Sequence, residues 1–208
     1  MLRTSFAFIS ILLLFLSLSL QANNTQNSEL QGYGAFSNLN KVWMLMALYS
    51  EVVTETNSVE QPQRLEIKIA TKKISSRRFR SLWLETLAVE HGTSKVAAMQ
   101  SELKQFFNIL KGPLQQGDSL IIERTESASE VRINYHTLAR LSRNFLPTMV
   151  QSLVGKHPPT QALKAGLMGR EGLREQTNLS IHFERLEPTL PRIAEISRWE
   201  KQMVVSIK

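Results

Sequence analysis

The chain has no cysteine, few histidines and fewer acidic than basic residues. Without cysteine there can be no disulfide and no thiolate metal ligand, so packing alone must stabilise the fold. The four histidines are scattered and no two of them lie at i,i+4 spacing, so neither a metal site nor a cofactor is expected. The 25 basic and 18 acidic residues give a net charge of +7, which is too dispersed to indicate a nucleic-acid-binding protein.

Aspartate is almost absent as well, because Asp118 is the only one in the chain. It lies in the tetrapeptide Gly117-Asp118-Ser119-Leu120, whose letters spell a signature used by one group of lipases and esterases. Hydrolases of that kind need a second aspartate, close before a histidine, to complete their triad. No such aspartate exists here, so we interpret the tetrapeptide as a chance match.

The N-terminus has the pattern of a secretory signal peptide. Arg3 gives it a positive start, residues 6–20 are almost wholly apolar, and Ala22 is a small residue suited to cleavage. The apolar run of about 15 residues is shorter than the roughly 20 that span a bilayer, although an uncleaved N-terminal anchor is the alternative. We therefore expect a leader over residues 1–22, export to the periplasm, a main domain over 23–169, and a C-terminal extension over 170–208 packed on that domain.

Hydrophobic periodicity predicts an α+β protein. Strands are predicted where apolar residues alternate or run continuously, over residues 30–36, 42–53, 64–70, 119–124, 130–135 and 178–186. Helices are predicted where apolar residues recur at helical spacing, over 76–91, 93–111, 138–153 and 160–168, the third of them kinked at Pro147. Residues 190–208 fit either state. This order indicates an antiparallel sheet with the helices gathered on one face.

Several short motifs follow one another along the chain. They are Gly32-Tyr33-Gly34, Ala47-Leu48-Tyr49, the segment RLEIKIATKKISSRRFRSLWLE over 64–85, Gly117-Asp118 at the start of a hairpin, and a Leu-Lys-x-Gly-Leu-x-Gly run that ends at residue 169. None of these motifs is specific alone. In this order and spacing, over about residues 30–169, the chain resembles the chalcone isomerase-like family of exported bacterial proteins.

The resemblance implies an open-faced sandwich, in which a helical layer covers one face of a large antiparallel sheet. It also implies a small-molecule cleft between the two layers. Residues 154–169, VGKHPPTQALKAGLMG, would then form the closing helix of the helical layer. Their prolines and glycines set a turn and a close packing contact, so we interpret this stretch as structural and not as a site.

Catalysis is not expected from the resemblance. Ring closure by true chalcone isomerases develops negative charge on the substrate, and the family's enzymes are expected to supply a cation from an arginine soon after the first glycine-rich strand. Residues 34–38 read Gly-Ala-Phe-Ser-Asn, with no arginine among them. The sequence therefore assigns no catalytic residue.

Other proteins with this fold hold a fatty acid, which needs only an apolar cavity and a cation or hydroxyl for the carboxylate. The candidate ligand-binding residues are Tyr49, Phe79, Arg80, Trp83 and Tyr135, with Arg80 supplying the charge. In the alternative interpretation, the two helix aromatics are ordinary core residues, the tyrosines cap the core and the arginine is solvated.

A basic run with no intervening acid comprises Lys72, Lys73, Arg77 and Arg78. The two arginines fall in the first turn of a predicted helix, where positive charge opposes the helix dipole. The run is a candidate anion patch that could associate weakly with an anionic membrane surface. The alternative is a solvated basic face.

The favoured hypothesis is an exported, non-catalytic protein that binds a small apolar or amphipathic ligand such as a fatty acid. Two other hypotheses stay open. One is an intramolecular lyase of the chalcone isomerase type, using Tyr49 and a displaced arginine. The other is a structural protein associated with a membrane surface through its basic run.

Overall fold

The computed structural model describes residues 28–39, 41–51 and 61–205. Six strands pair in spatial order as one open antiparallel sheet: β1 (Ser28–Asn38), β2 (Lys41–Glu51), β3 (Pro62–Ile69), β6 (Ser119–Arg124), β7 (Ala128–Ile133) and β8 (His136–Ser142). Two short strands, β4 (Lys73–Ile74) and β5 (Leu114–Gln115), form a separate pair. The helices are α1 (Ser76–Ala98), α2 (Gln100–Asn108), α3 (Phe145–Val154), α4 (Gln161–Leu167), α5 (Leu173–Arg185) and α6 (Leu190–Val205). The α+β class and the open antiparallel sheet are confirmed.

The predicted leader, residues 1–22, lies outside the described residues. Within the described ranges, none of the helices has the length and apolar character required to cross a bilayer.

The central strands of the sheet follow from their side-chain patterns. In β3, Leu65, Ile67 and Ile69 alternate with polar residues and are fully buried under the helices. In β2, every residue from Met44 to Leu48 is buried, so this strand is covered on both faces, which explains its continuous apolar run.

The helical layer lies on one face of the sheet. Ser75 caps α1 by accepting a hydrogen bond from the backbone N–H of Arg78. Side chains from α1, α2 and α3 meet the sheet in one large core, to which α6 adds Ile196 and Trp199.

Helix α5 covers part of the opposite face. Its Phe183 packs on Leu45 and Ala47 of β2 and forms a second, smaller core with half-buried Leu179 and Leu186. Residues 178–186 were predicted as a strand, and that prediction was wrong. The apolar residues 179, 183 and 186 lie four and three positions apart, which is the spacing of one face of a helix.

The predicted helix over 138–153 was also wrong in its first part. Residues 136–142 form β8, which pairs with β7 at Val131↔Ala139. The spacing of Leu138, Leu141 and Phe145 fits a helix by coincidence, because the element changes between the second and third of them. Pro147 is the third residue of α3, where a backbone N–H has no partner within the helix, so a proline fits there. The ambiguous C-terminal segment is the helix α6.

Glycines allow α4 to lie directly on β1. A Cβ at Gly32 would lie 2.2 Å from the carbonyl oxygen of Gly166 and 2.7 Å from the backbone nitrogen of Gly169. The turn that leads into α4 is held by Glu90, whose carboxylate accepts the backbone N–H groups of Lys156 and His157. Residues 154–169 therefore form the close packing contact that their prolines and glycines predicted.

The only aspartate of the chain holds the C-terminal helix. Asp118 is fully buried and receives the Arg192 guanidinium of α6, with N···O distances between 2.7 and 3.0 Å. Asn134 and the backbone N–H of Gln115 donate to the same carboxylate. This arrangement gives Asp118 a structural role and leaves the lipase-like tetrapeptide as a chance match.

Candidate functional site

The five residues predicted to line one ligand cleft do not lie together. Phe79 and Trp83 lie between the helices and the sheet, but they are only 1% and 3% exposed and belong to the main core. Phe106 packs against Phe79 with ring centroids 6.2 Å apart. These side chains fill the space between the layers at this point, as the core interpretation of them expected.

Tyr49 and Tyr135 lie elsewhere. Tyr49 is part of the second core, on the face of the sheet that α5 covers, and the Arg64 guanidinium lies 3.8 Å from its ring centroid. Tyr135 is 71% exposed in the β7–β8 turn, and its hydroxyl lies 3.4 Å from Glu187. Neither tyrosine is therefore placed to share a cleft with Phe79 and Trp83.

A cleft of about 310 Å³ lies where β1 ends, between α1 and the proline turn. Its polar lining includes Ser37, Asn38, Glu85 and His157, and neither arginine nor lysine is among the described residues that line it. A phenolate in this cleft would meet a carboxylate and would be repelled. No arginine or lysine of another described segment therefore replaces, in this cleft, the arginine that is missing from residues 34–38.

A second opening lies in the angle between α1 and α2. Gly92 interrupts α1 with φ +78°, a conformation that side chains rarely adopt, and the chain turns back through residues 93–99 into α2. The two helical limbs enclose a groove of about 620 Å³. A volume of this size is within the range of about 300–1,000 Å³ that is usual for small-molecule sites.

The groove combines an apolar floor with two cations. Its floor is formed by buried Leu103 and Phe107 and half-buried Leu84 and Val96, and its described lining contains no acidic residue. The cations are the exposed Arg80 and Lys104. The Arg80 guanidinium lies 5.4 Å from the centroid of the Phe107 ring, so charge and apolar surface meet at one point. The groove is suited to an amphipathic anion.

A third opening, of about 800 Å³, lies between α5 and the sheet. Its charged lining is mixed, because Glu175 faces the same space as Arg185 and His182. This opening is larger than the α1–α2 groove, but its described lining does not have the excess of positive charge that would attract an anion.

The predicted anion patch is exposed at one end of the sheet. Lys72 and Lys73 line a shallow pocket of about 480 Å³ together with Lys41. Arg78 lies over the ring of Trp43 at 5.0 Å, and Arg77 is exposed beside it in the first turn of α1.

One described tyrosine has a pKa well above its ordinary value. Burial and the neighbouring Tyr49 and Glu184 raise the pKa of Tyr33 to about 12, so its phenol stays protonated at neutral pH. No group of three or more histidine, aspartate or glutamate side chains among them is arranged to bind a metal ion.

The described residues form an antiparallel sheet with a helical layer, a cleft whose described lining has neither arginine nor lysine, and a separate basic groove. The sequence profile described as chalcone isomerase-like matches residues 18–169, and the chain belongs to this family. No curated protein sequence matches it significantly. A crystal structure of an Arabidopsis thaliana fatty-acid binding protein is similar to it, with a TM-score of 0.51 and 14% identity over 75% of this chain and 90% of the other. At this identity the likeness shows the fold alone.

Sequence reasoning found one residue of the groove and missed the others. Arg80 was predicted as the charge that would hold a carboxylate, and it does line the groove. Lys104 was not considered, and the apolar residues of α2 served only to predict a helix. The signal was present, because Leu103 and Lys104 precede Phe107 by four and three positions, which places both beside Phe107 on one side of a helix. The angle between α1 and α2 cannot be obtained from such spacing.

Proposed function

We propose that this protein is a non-catalytic binding protein that holds a small amphipathic anion, such as a fatty acid, in the α1–α2 groove. The observation that carries the proposal is the placement of Arg80 and Lys104 over an apolar floor that no described acidic side chain interrupts. The name of the Arabidopsis neighbour, a fatty-acid binding protein, supports the same class of ligand.

The energetics favour an anion with an apolar tail. A hydrogen bond between a guanidinium and a carboxylate is worth about 1.5–3 kcal/mol, and a buried apolar tail adds about 25 cal/mol for each Å² removed from water. Arg80 is exposed, so it can turn to a carboxylate without breaking a buried ion pair. Its contact with the Phe107 ring places that charge at the edge of the apolar floor.

The described lining of the β1-end cleft contains neither arginine nor lysine, which supports a non-catalytic role. Glu85 is the carboxylate among its described lining residues, and it would oppose charge development on a phenolate. We expect no loss of chalcone absorbance when the protein is incubated with chalcone. If the protein consumed chalcone and Tyr49→Phe abolished that turnover, the lyase hypothesis would be favoured instead. Arg64, which lies beside Tyr49, would then be the arginine that replaces the one missing from residues 34–38.

Binding is tested by titrating the protein with a fluorescent fatty acid such as cis-parinaric acid. Arg80→Gln should weaken binding about 10- to 100-fold, the equivalent of one ionic hydrogen bond. Ala97→Trp should abolish it, because Ala97 is an exposed residue of the groove wall and a bulky ring there fills the space without disturbing the core. Arg77→Gln is the matched control, since Arg77 lies on the same helix outside the groove. Unchanged affinity in both groove variants would refute the site.

Export to the periplasm is part of the proposal and depends on residues 1–22. The positive start, apolar run and small residue at 22 support a cleavable leader. Mass spectrometry of the protein recovered from a periplasmic extract should give a chain that begins near residue 23. An intact N-terminus in the membrane fraction would favour the uncleaved anchor.

A further inference from the structure

We propose that one end of the molecule docks on the surface of an anionic lipid bilayer. This end, the hairpin end, consists of the apolar residues Leu39 and Val42 and the cations Lys41, Lys72, Lys73, Arg77 and Arg78. The inference does not depend on the α1–α2 groove, which involves other residues.

The topology of the sheet brings these residues together. Strand β1 ends at Asn38, which pairs with Lys41 at the start of β2, and the antiparallel β3 also ends on this side. The backbone N–H groups of Ala70 and Thr71 donate to the carbonyl of Trp43, which ties the segment after β3 to the hairpin. Lys72 and Lys73 follow at once, and α1 begins three residues later.

The hairpin presents apolar side chains to solvent. Leu39 is 95% exposed and Val42 is 39% exposed. Leu39 also has φ +49°, which is uncommon for a residue other than glycine, asparagine or aspartate. A single exposed leucine needs no explanation, but two exposed apolar residues at the same end of the sheet as several exposed cations are the pattern of a surface that enters a bilayer interface.

The cations around the hairpin have no acidic residue among them. Lys41, Lys72 and Lys73 line one shallow pocket with Thr71 and Gln115. The chain from residue 67 to residue 84 contains no aspartate or glutamate. The two openings that flank the hairpin each include one carboxylate, from Glu85 or Glu175, so the excess positive charge remains at the hairpin end.

Arginines in the first turn of α1 point to the same function. Helix α1 has no acidic residue in its first turn, although an acid there would be favourable and a cation is not. Arg78 is held over the Trp43 ring, so this aromatic side chain and a cation lie side by side behind the exposed hairpin. Tryptophan and arginine are both enriched where proteins meet lipid head groups.

Vesicle flotation tests the proposal, using the protein expressed from its full-length coding sequence. It should bind phosphatidylcholine vesicles that contain phosphatidylglycerol and leave pure phosphatidylcholine vesicles largely unbound. Each cation near such a surface is worth about fivefold in partitioning, so Lys72→Gln/Lys73→Gln should lower binding about 25-fold. Leu39→Ser should lower it about tenfold, because the apolar insertion is lost.

Two controls make the outcome decisive. Leu173→Ser removes an exposed leucine at the start of α5. This part of α5 lies away from the hairpin end, because Gln176 bonds to Tyr33 near the middle of β1. The variant should bind vesicles like the unaltered protein. Inorganic phosphate at constant ionic strength should not compete. Two results would overturn membrane docking in favour of a site for a free anion. One is that phosphate displaces the protein from the vesicles. The other is that Lys72→Gln/Lys73→Gln loses vesicle binding while Leu39→Ser keeps it. Equal binding to neutral and anionic vesicles would overturn it as well.

Discussion

The ion pair between Asp118 and Arg192 offers the sharpest test of how the C-terminal helix is held. The Arg192 side chain is 4% exposed and the Asp118 side chain is fully buried. Burial acts to lower the pKa of Arg192, but its hydrogen bonds and charge interactions with Asp118 and Glu195 outweigh this and raise the pKa. Arg192→Met removes the charge and keeps an unbranched apolar stem against Trp199.

The expected loss follows from what remains around Asp118. After the substitution, Asn134 Nδ2 at 2.7 Å and the backbone nitrogen of Gln115 at 2.8 Å still donate to the carboxylate, but its counter-charge is gone. Removing one partner of a buried ion pair typically costs about 3–5 kcal/mol. That is a large share of the roughly 5–15 kcal/mol by which domains of this kind are stable.

Urea unfolding followed by circular dichroism measures the effect. Arg192→Met should lower the free energy of unfolding by about 3–5 kcal/mol. Arg198→Met on the same helix is the control, because Arg198 is exposed and should change stability by less than about 0.5 kcal/mol. Equal stability of the two variants would show that the pair does not hold α6 to the domain.

Two further predictions concern the packing and the turn around α4. Gly32→Ala should destabilise by about 1–3 kcal/mol in the same assay, because the new Cβ meets the backbone of α4. Gly172→Ser is the control, because Gly172 is the N-cap of α5, where serine is also favourable and nothing lies within 4 Å of the new Cβ, so stability should change by only a few tenths of a kcal/mol. Equal effects would contradict the close approach. Burial of Glu90 acts to raise its pKa, but hydrogen bonds from the backbone of His157 and Lys156 and from Gln151 outweigh this and lower the pKa. The stabilisation by Glu90 should therefore be complete above the ordinary pKa of 4.5 and be lost as the pH falls through its lower folded-state pKa. Below pH 4.5, the free energy of unfolding should fall more steeply with decreasing pH in the unaltered protein than in Glu90→Gln. Parallel pH profiles of the two proteins would argue against the role of Glu90.

Much of the fold could be predicted because its signals are local. The alternation in β3, the hairpin of β6 and β7, and the Ser75 cap each depend on neighbouring residues. Strand β8 and helix α5 were misassigned because short apolar segments fit the spacing of a strand and of a helix equally well. Only the strand they pair with, or the surface they pack on, decides which of the two forms. The cover that α5 gives to the second face depends on Phe183 meeting β2, which is far away in sequence.

The candidate site was harder to predict for the same reason. Phe79 and Trp83 carry the right chemistry for a ligand site, but whether an aromatic on a helix is buried or lines an opening depends on the neighbouring helix. Arg80 was found because it is a charge beside such aromatics. Its partner Lys104 lies 24 residues away and reaches the groove only because α1 breaks at Gly92.

The most direct test of ligand binding is methyl-selective NMR of the protein titrated with a medium-chain fatty acid. The account predicts that the methyl signals of Leu84, Val96 and Leu103 shift and saturate together, and that those of Leu179 and Leu186 in the opening under α5 do not. Shifts confined to the α5 opening, or no saturable shift at any of these methyl groups, would contradict it.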